Sequence, residues 1–255
     1  MIPRLFGSRR RDPDHLPEVP ESSRVYAIGD IHGRVDLLGE LHEMVLEDAE
    51  KWPDRRKVVV YIGDYVDRGL QSRQVIDLLI DAPLRGFEAI HLKGNHEDMM
   101  LAFLKDVTAG SGWMLNGGNA TLYSYGVNLA DAGNMDERLE MAQAELRRHL
   151  PQRHLDFLES LKLTHAEGDY FFVHAGIRPG VALDRQDELD MLWIRDEFLC
   201  SPDDHGKVVV HGHTITGEPE VRPNRIGLDT GAFASGTLTC LVLDGTERSF
   251  LQTLG

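Results

Sequence analysis

The stretch that most constrains this chain is Gly63-Asp64-Tyr65-Val66-Asp67-Arg68-Gly69, which follows directly on the apolar run Val58-Val59-Val60-Tyr61-Ile62. An unbroken run of that kind reads as a buried strand of a parallel sheet. A strand ending in Gly-Asp delivers its carboxylate to the rim of the sheet, where open α/β folds bind ligands. Gly-Asp is also ordinary turn chemistry, so the weight lies in repetition. Arg24-Val25-Tyr26-Ala27-Ile28 runs into Gly29-Asp30-Ile31-His32-Gly33, and Glu88-Ala89-Ile90-His91-Leu92 passes through Lys93 into Gly94-Asn95-His96-Glu97. Tyr170-Phe171-Phe172-Val173 ends in His174-Ala175-Gly176, and Lys207-Val208-Val209-Val210 ends in His211-Gly212-His213-Thr214. Parallel strands would bring these endings to one edge, and such oxygen and nitrogen donors suit hard or borderline divalent metals.

The spacing predicts helices between the strands. Leu37, Leu38, Leu41, Met44 and Val45 recur at helical intervals, Ser72 is placed to cap a helix carrying Val75, Ile76, Leu78 and Leu79, and Met99, Met100, Phe103, Leu104 and Val107 form a third apolar stripe. Strand, loop and helix repeated three times imply right-handed crossovers and a doubly wound parallel sheet. Over about 108–168 the pattern changes to an ordered loop at 113–119 and helices at 135–150 and 152–161, a helical cap insertion on the sheet. Strand content is expected again from Tyr170, then a short helix with Leu189, Leu192, Trp193 and Ile194, an irregular Gly- and Pro-containing stretch, and a hairpin of 238–243 with 249–254 around Asp244-Gly245. Residues 24–255 read as one domain. Residues 1–23, rich in Arg, Pro, Asp and Glu, read as a flexible lead-in, with an interfacial anchor through Ile2, Leu5 and Phe6 as the other use of that segment.

Composition narrows the function classes. The formal charge of −15 disfavours nucleic acid as a partner, because phosphate backbones are held by clustered Lys and Arg. No apolar run is long enough to span a bilayer, no signal-peptide core precedes Arg9-Arg10-Arg11, and stable membrane association is not expected. Cys200 and Cys240 fit no metal or disulfide spacing and read as reduced thiols in apolar surroundings. A cytoplasmic protein is the expectation; the oligomeric state is left open.

The polar loop endings divide by chemistry. Asp30 and His32 can reach one cation; Asn95, His174 and His213 can surround a second; Asp64 can bridge both. Two such ions can share a hydroxide for direct attack on phosphorus and clamp the attacking and leaving oxygens. Arg68 can fork onto phosphate oxygens, which Lys does less well, and Arg195, expected on the helix with Trp193, is a second clamp with Arg178 as its competitor. Asn95 adjoins the same substrate oxygens. His96 can protonate the leaving alkoxide, oriented by Asp67. Singly, each Asp is more often a turn or cap residue and each His a satisfied strand-end group; together they are not. His211 gives way to His213, which lies further out on its loop. His91 reads as packed within a strand, and His15, His42, His149, His154, His165 and His205 as surface residues.

GDIHG, GDYVDRG, GNHE, HAG and GHT, in this order and spacing over roughly residues 24–243, resemble the signature of the metal-dependent phosphoprotein phosphatases within the calcineurin-like metallophosphoesterases, on the bacterial and phage lambda branch. The resemblance implies a central mixed β-sandwich flanked by helices in place of the doubly wound sheet. It also implies two divalent metals, manganese above all with iron, zinc or magnesium as alternatives. Asp30, His32 and Asp64 would then hold one ion, Asp64, Asn95, His174 and His213 the other, with His96 and Asp67 as the acid pair and Arg68 and Arg195 on phosphate. The segment 222–231 departs from the eukaryotic substrate-groove loop. The function implied is hydrolysis of phosphoserine and phosphothreonine in a phosphoprotein or phosphopeptide. Dinucleoside polyphosphate hydrolases resemble the same family but usually lack the aspartate matching Asp67 and carry Asp where this chain has Glu97. The third alternative is a catalytically silent binding module stapled by its metals.

Overall fold

The computed structural model describes residues 16–128 and 134–254. Ile2, Leu5, Phe6 and His15 lie outside the described residues. Ordered packing already reaches Val19, which is buried and donates its N–H to the Gly245 carbonyl at 3.0 Å.

The strands are β1 (Ser23–Ile28), β2 (Arg56–Tyr61), β3 (Phe87–His91), β4 (Thr164–Glu167), β5 (Tyr170–Val173), β6 (Val208–His211), β7 (Glu220–Val221), β8 (Arg225–Gly227), β9 (Thr239–Asp244) and β10 (Glu247–Gln252). They form two five-stranded sheets, ordered β10-β9-β1-β2-β3 and β4-β5-β6-β8-β7. β1, β2 and β3 are parallel neighbours, while β9 runs antiparallel to β1 and to β10. In the second sheet β5, β6 and β8 are parallel, and the edge strands β4 and β7 are antiparallel. β1, β2 and β3 keep the expected parallel order, but helices cover one of their faces and the second sheet the other, so the architecture is a mixed sandwich and not a doubly wound sheet.

Side-chain alternation explains why two sheets stack. Val25, Ala27, Val58, Val60 and Leu241 face a shared core with Tyr170, Phe172, Val208, Val210 and Ile226 of the second sheet. Tyr26, Ile28, Val59, Tyr61 and Val242 point the other way, into a core with α1 (Val35–Glu50), α2 (Ser72–Asp81) and α3 (Asn95–Lys105). A strand buried on both faces has no polar face to alternate, which is why these runs read as continuously apolar.

The region after α3 corrects several expectations. Residues 113–119 form not a loop but parts of two short helices, α4 (Gly110–Leu115) and α5 (Gly118–Ser124), joined through Gly117 in the left-handed region at φ 104°. The fully buried Trp113, 5.1 Å from the Phe103 ring, ties α4 to α3. Helices α6 (Met135–His149) and α7 (Gln152–Glu159) follow close to their expected bounds. Strand content resumes at Thr164, six residues before Tyr170, and the irregular stretch contains β7 and β8. Helix α8 (Glu188–Trp193) ends at Trp193, so Arg195 instead precedes a separate turn, α9 (Asp196–Leu199). Ser72 does not cap α2: its Oγ accepts the Asp67 N–H at 3.0 Å.

Two histidines expected at the surface are buried because tyrosines satisfy them. His42 Nε2 pairs with the Tyr61 hydroxyl at 2.8 Å, and His154 Nδ1 pairs with that of Tyr125 at 2.9 Å. His149, His165 and His205 are half-buried. Cys240 is buried as expected, whereas Cys200 is exposed. His91 packs, stacked flat on Tyr61 with ring centroids 4.8 Å apart.

Candidate metal centre

Parallel pairing sets the loops after β1, β2 and β3 side by side, and the β5 and β6 endings meet them across the sandwich. Backbone strain marks the same loops. Among the described residues, the non-glycine positions with positive φ are His32 (46°), Asp64 (53°), Asp67 (72°), Arg68 (64°) and His213 (65°). Left-handed backbone costs on the order of 1–3 kcal/mol per residue and persists where surrounding structure over-determines it. Every one of the five is a site residue expected from the sequence.

Two glycines permit the convergence. A Cβ on Gly94 would stand 2.1 Å from Asp64 Oδ1, and one on Gly212 would stand 2.0 Å from Asp30 Oδ1. The carboxylates lie directly against backbone, which only glycine allows.

Two triplets of metal-capable side chains result, His32 with Asp64 and His96, and Asp64 with His174 and His213. The ligand atoms in each lie within 4.8 Å of one another, and Asp64 is common to both. Asp64 Oδ2 is 3.4 Å from His32 Nε2, and its Oδ1 is 3.4 Å from His174 Nε2. Asn95 Oδ1 touches His174 Nε2 at 2.9 Å and His213 Nδ1 at 3.0 Å. Asp30 joins through Oδ2, which accepts the His213 N–H at 3.0 Å. Backbone carbonyls fix two rings: His32 Nδ1 meets Val66 O at 2.8 Å and His174 Nδ1 meets Ile62 O at 3.1 Å, leaving Nε2 of each toward the centre.

The electrostatics fit cations. Burial raises the Asp30 carboxyl well above the usual carboxylate range, with the charges of Asp229 and Asp64 adding to it, and raises Asp64 to about 6. Burial also holds His32 and His174 well below the usual imidazole value and His213 at about 3, so the rings stay neutral donors. Among the described residues, Asp30 Oδ1, His213 Nε2 and Asp229 Oδ2 are buried here without a hydrogen-bond partner. Buried carboxylates and imidazoles so arranged suit a divalent ion pair.

His96 Nδ1 lies 2.7 Å from Asp67 Oδ2, and its Nε2 faces Asp64 Oδ2 at 3.8 Å. Burial lowers the His96 pKa, but Asp64 and Asp67 outweigh it and the net shift is upward. Arg68 is half-buried, its Nη1 3.0 Å from His32 Nε2 and its guanidinium 4.9 Å over the Phe233 ring. The exposed Arg195 sits at the rim, with Nη1 3.3 Å from His213 O and 3.0 Å from Thr214 Oγ1. Arg178 is engaged elsewhere, paired with Asp190 at 2.6 Å and Glu197 at 2.7 Å. His211 Nδ1 bonds to the Gly212 carbonyl at 3.1 Å, and His211 is absent from both triplets.

Sequence reasoning gave no role at the site to four residues here. The buried Glu97 carboxylate accepts four backbone N–H groups, from Asp64 and Gly94 at 2.9 Å, Tyr65 at 2.8 Å and Val66 at 3.1 Å. Trp113 Nε1 and Thr121 Oγ1 donate to Asp67 at 2.8 and 2.6 Å. Asp229 lies in the irregular stretch, where no strand pattern points to it. The available signals were Glu97 closing the GNHE motif and the buried-type Trp113 four residues before Gly117-Gly118.

A family model described as calcineurin-like phosphoesterase matches residues 23–232. The chain is 30% identical over 228 residues to Serine/threonine-protein phosphatase 2 of Salmonella typhimurium, covering 84% of this chain and 90% of that protein. It is 25% identical over 234 residues to the asymmetrical bis(5'-nucleosyl)-tetraphosphatase PrpE of Anoxybacillus flavithermus, covering 84% and 88%. The solved structure of a protein regarded as a diadenosine tetraphosphatase superposes with a TM-score of 0.60 at 22% identity, over 94% of this chain and 100% of that one, a likeness of fold. Among the described residues no helix is long and apolar enough to cross a membrane.

Proposed function

The chain belongs to the calcineurin-like phosphoesterase family, and on that footing we propose that it hydrolyses phosphate monoesters, with phosphoserine and phosphothreonine of proteins as substrates, in the cytoplasm. One catalytic domain over 24–255 follows a lead-in of 1–23. Asp30, His32 and Asp64 would hold one divalent ion and Asp64, Asn95, His174 and His213 the other, with manganese favoured over iron, zinc and magnesium. Bound ions of this kind lower the proton affinity of a water and neutralise charge on phosphate oxygens. Arg68 and Arg195 bind and orient the phosphoryl oxygens. Asp67 keeps the His96 ring aimed at the leaving oxygen, to which His96 delivers a proton.

The single observation carrying this reading is the strain at His32, Asp64, Asp67, Arg68 and His213, concentrated on residues assigned to metal, acid and phosphate roles. The test is p-nitrophenyl phosphate hydrolysis after chelation and manganese addition. Activity restored in the wild type and absent in Asp64→Asn supports it; equal activity in both removes it, and no activity in either leaves the silent binding module.

A second reading, hydrolysis of dinucleoside polyphosphates, has the PrpE relatives in its favour. Asp67 weighs toward the monoesterase, since the His96–Asp67 pair assists expulsion of an alkoxide of high pKa, and Glu97 stands where the dinucleoside polyphosphate hydrolases usually carry Asp. Turnover of a phosphothreonine peptide against diadenosine tetraphosphate decides between them, and strong preference for the nucleotide sinks the first reading.

A further inference from the structure

The helical insertion reaches back to the catalytic loop at α4 and α5. Asp67 is fully buried, and its carboxylate takes three side-chain contacts: His96 Nδ1 at 2.7 Å and Trp113 Nε1 at 2.8 Å on Oδ2, and Thr121 Oγ1 at 2.6 Å on Oδ1. Thr121 Oγ1 also accepts the Asp67 N–H at 2.8 Å, so one hydroxyl grips this residue by backbone and side chain together. The same segment presses on the next residue: Arg68 N–H meets Gly117 O at 3.3 Å, and a Cβ on Gly117 would stand 3.0 Å from Arg68 Cγ.

These contacts settle a tautomer. An indole N–H can only donate, so Asp67 Oδ2 accepts from Trp113, and the carboxylate offers His96 an acceptor. His96 Nδ1 therefore carries its hydrogen toward Asp67, and Nε2 is the nitrogen facing the centre. An unclamped Asp67 could rotate about its terminal torsion, which is broad for aspartate, and release the ring.

We propose that Trp113 and Thr121, from the helical insertion, are positioning residues for the Asp67–His96 acid pair. The proposal rests on the reading of His96 as the acid. Neither residue touches substrate; both act through Asp67. The insertion thus completes the catalytic apparatus from outside the sandwich, with side chains 46 and 54 residues beyond the one they orient.

The test uses the full chain with manganese and two aryl esters, p-nitrophenyl phosphate with a good leaving group and phenyl phosphate with a poor one. Thr121→Val keeps the shape and removes the hydroxyl; Trp113→Phe removes the N–H; Thr121→Ser restores a hydroxyl. Loss of acid assistance slows poor leaving groups selectively. Both disabling variants should lower kcat on phenyl phosphate at least roughly tenfold more than on p-nitrophenyl phosphate, with KM and manganese stoichiometry unchanged, and Thr121→Ser should recover the wild-type ratio. Equal losses on both esters in a folded, metal-loaded Thr121→Val would overturn the proposal. His96→Ala, run in parallel, separates the two hypotheses. If it also slows both esters equally, the acid assignment itself fails; if it discriminates while Thr121→Val does not, only the positioning role fails. Should Trp113→Phe not fold, Thr121→Val and Thr121→Ser carry the decision.

Discussion

Glu97 accepts the backbone N–H of Asp64 at 2.9 Å, so the residue common to both ligand triplets is placed by a carboxylate belonging to neither. The same carboxylate takes the N–H groups of Tyr65, Val66 and Gly94, bracing two strand-end loops at once. Glu97→Gln preserves the shape but sets amide hydrogens against N–H donors. A buried donor left unsatisfied costs about 1–3 kcal/mol, and two would be stranded. Urea unfolding of the metal-free variant should show a loss on the order of 2–6 kcal/mol, and manganese titration should show weaker binding. Wild-type stability would mean that the loop is held by other contacts.

Gly94→Ala and Gly212→Ala should have different consequences, because the carboxylates they crowd do. A methyl on Gly94 collides with Asp64, which serves both triplets; one on Gly212 collides with Asp30, which belongs to neither triplet and is proposed to hold one ion only. Metal content after desalting should fall on both sides of the centre for Gly94→Ala, and only on one for Gly212→Ala. Two full-strength ions in either variant would show that the backbone can retreat, and the glycine argument fails for that loop.

The first sheet and the loops that gather the candidate ligands were legible because both depend on local sequence. Val58-Val59-Val60-Tyr61-Ile62 is apolar throughout since both faces of β2 are covered, and Gly63-Asp64 follows because the chain must turn sharply where the carboxylate is needed. The second sheet was harder: β7 has two residues and β8 three, too few for any period to show. Long-range partnership was legible only where the loop motifs carried it, as for Asp67 with His96. Nothing near His42 announces the Tyr61 hydroxyl that makes its burial affordable, nor does the vicinity of Trp113 announce Asp67. Arg195 was expected on α8, but the helix stops at Trp193 and the arginine reaches His213 and Thr214 from the following turn.

Stability should depend on pH through rings outside the centre. Burial holds His42 and His91 neutral down to about 4 in the folded chain, against 6.5 for a free ring. Between those values the unfolded chain binds more protons, so stability rises with pH; their contribution is fully present above about 6.5 and lost as pH falls toward 4. His91→Phe keeps the stacking on Tyr61 and removes one titration. Urea unfolding across this range should show a slope shallower than that of the wild type by up to about 1.4 kcal/mol per pH unit. An unchanged slope would mean that His91 reaches solvent before it titrates.

The two arginines should respond unequally to Lys. Arg68 is half-buried, strained at φ 64°, and lies over Phe233, so its guanidinium plane is set before phosphate arrives. A Lys there keeps the charge but loses the fork and the stacked face. Removing one charge-assisted hydrogen bond costs about 1.5–3 kcal/mol, or roughly 10–100-fold in kcat/KM for Arg68→Lys. Arg195 is exposed at the rim, where solvent screens its charge and its side chain must be ordered on binding, so Arg195→Lys should cost less. Competitive inhibition by inorganic phosphate reads the same difference without chemistry: its inhibition constant should rise more for Arg68→Lys than for Arg195→Lys. The reverse order would move the principal phosphate contact to the rim and leave Arg68 as a counter-charge for the aspartates around it.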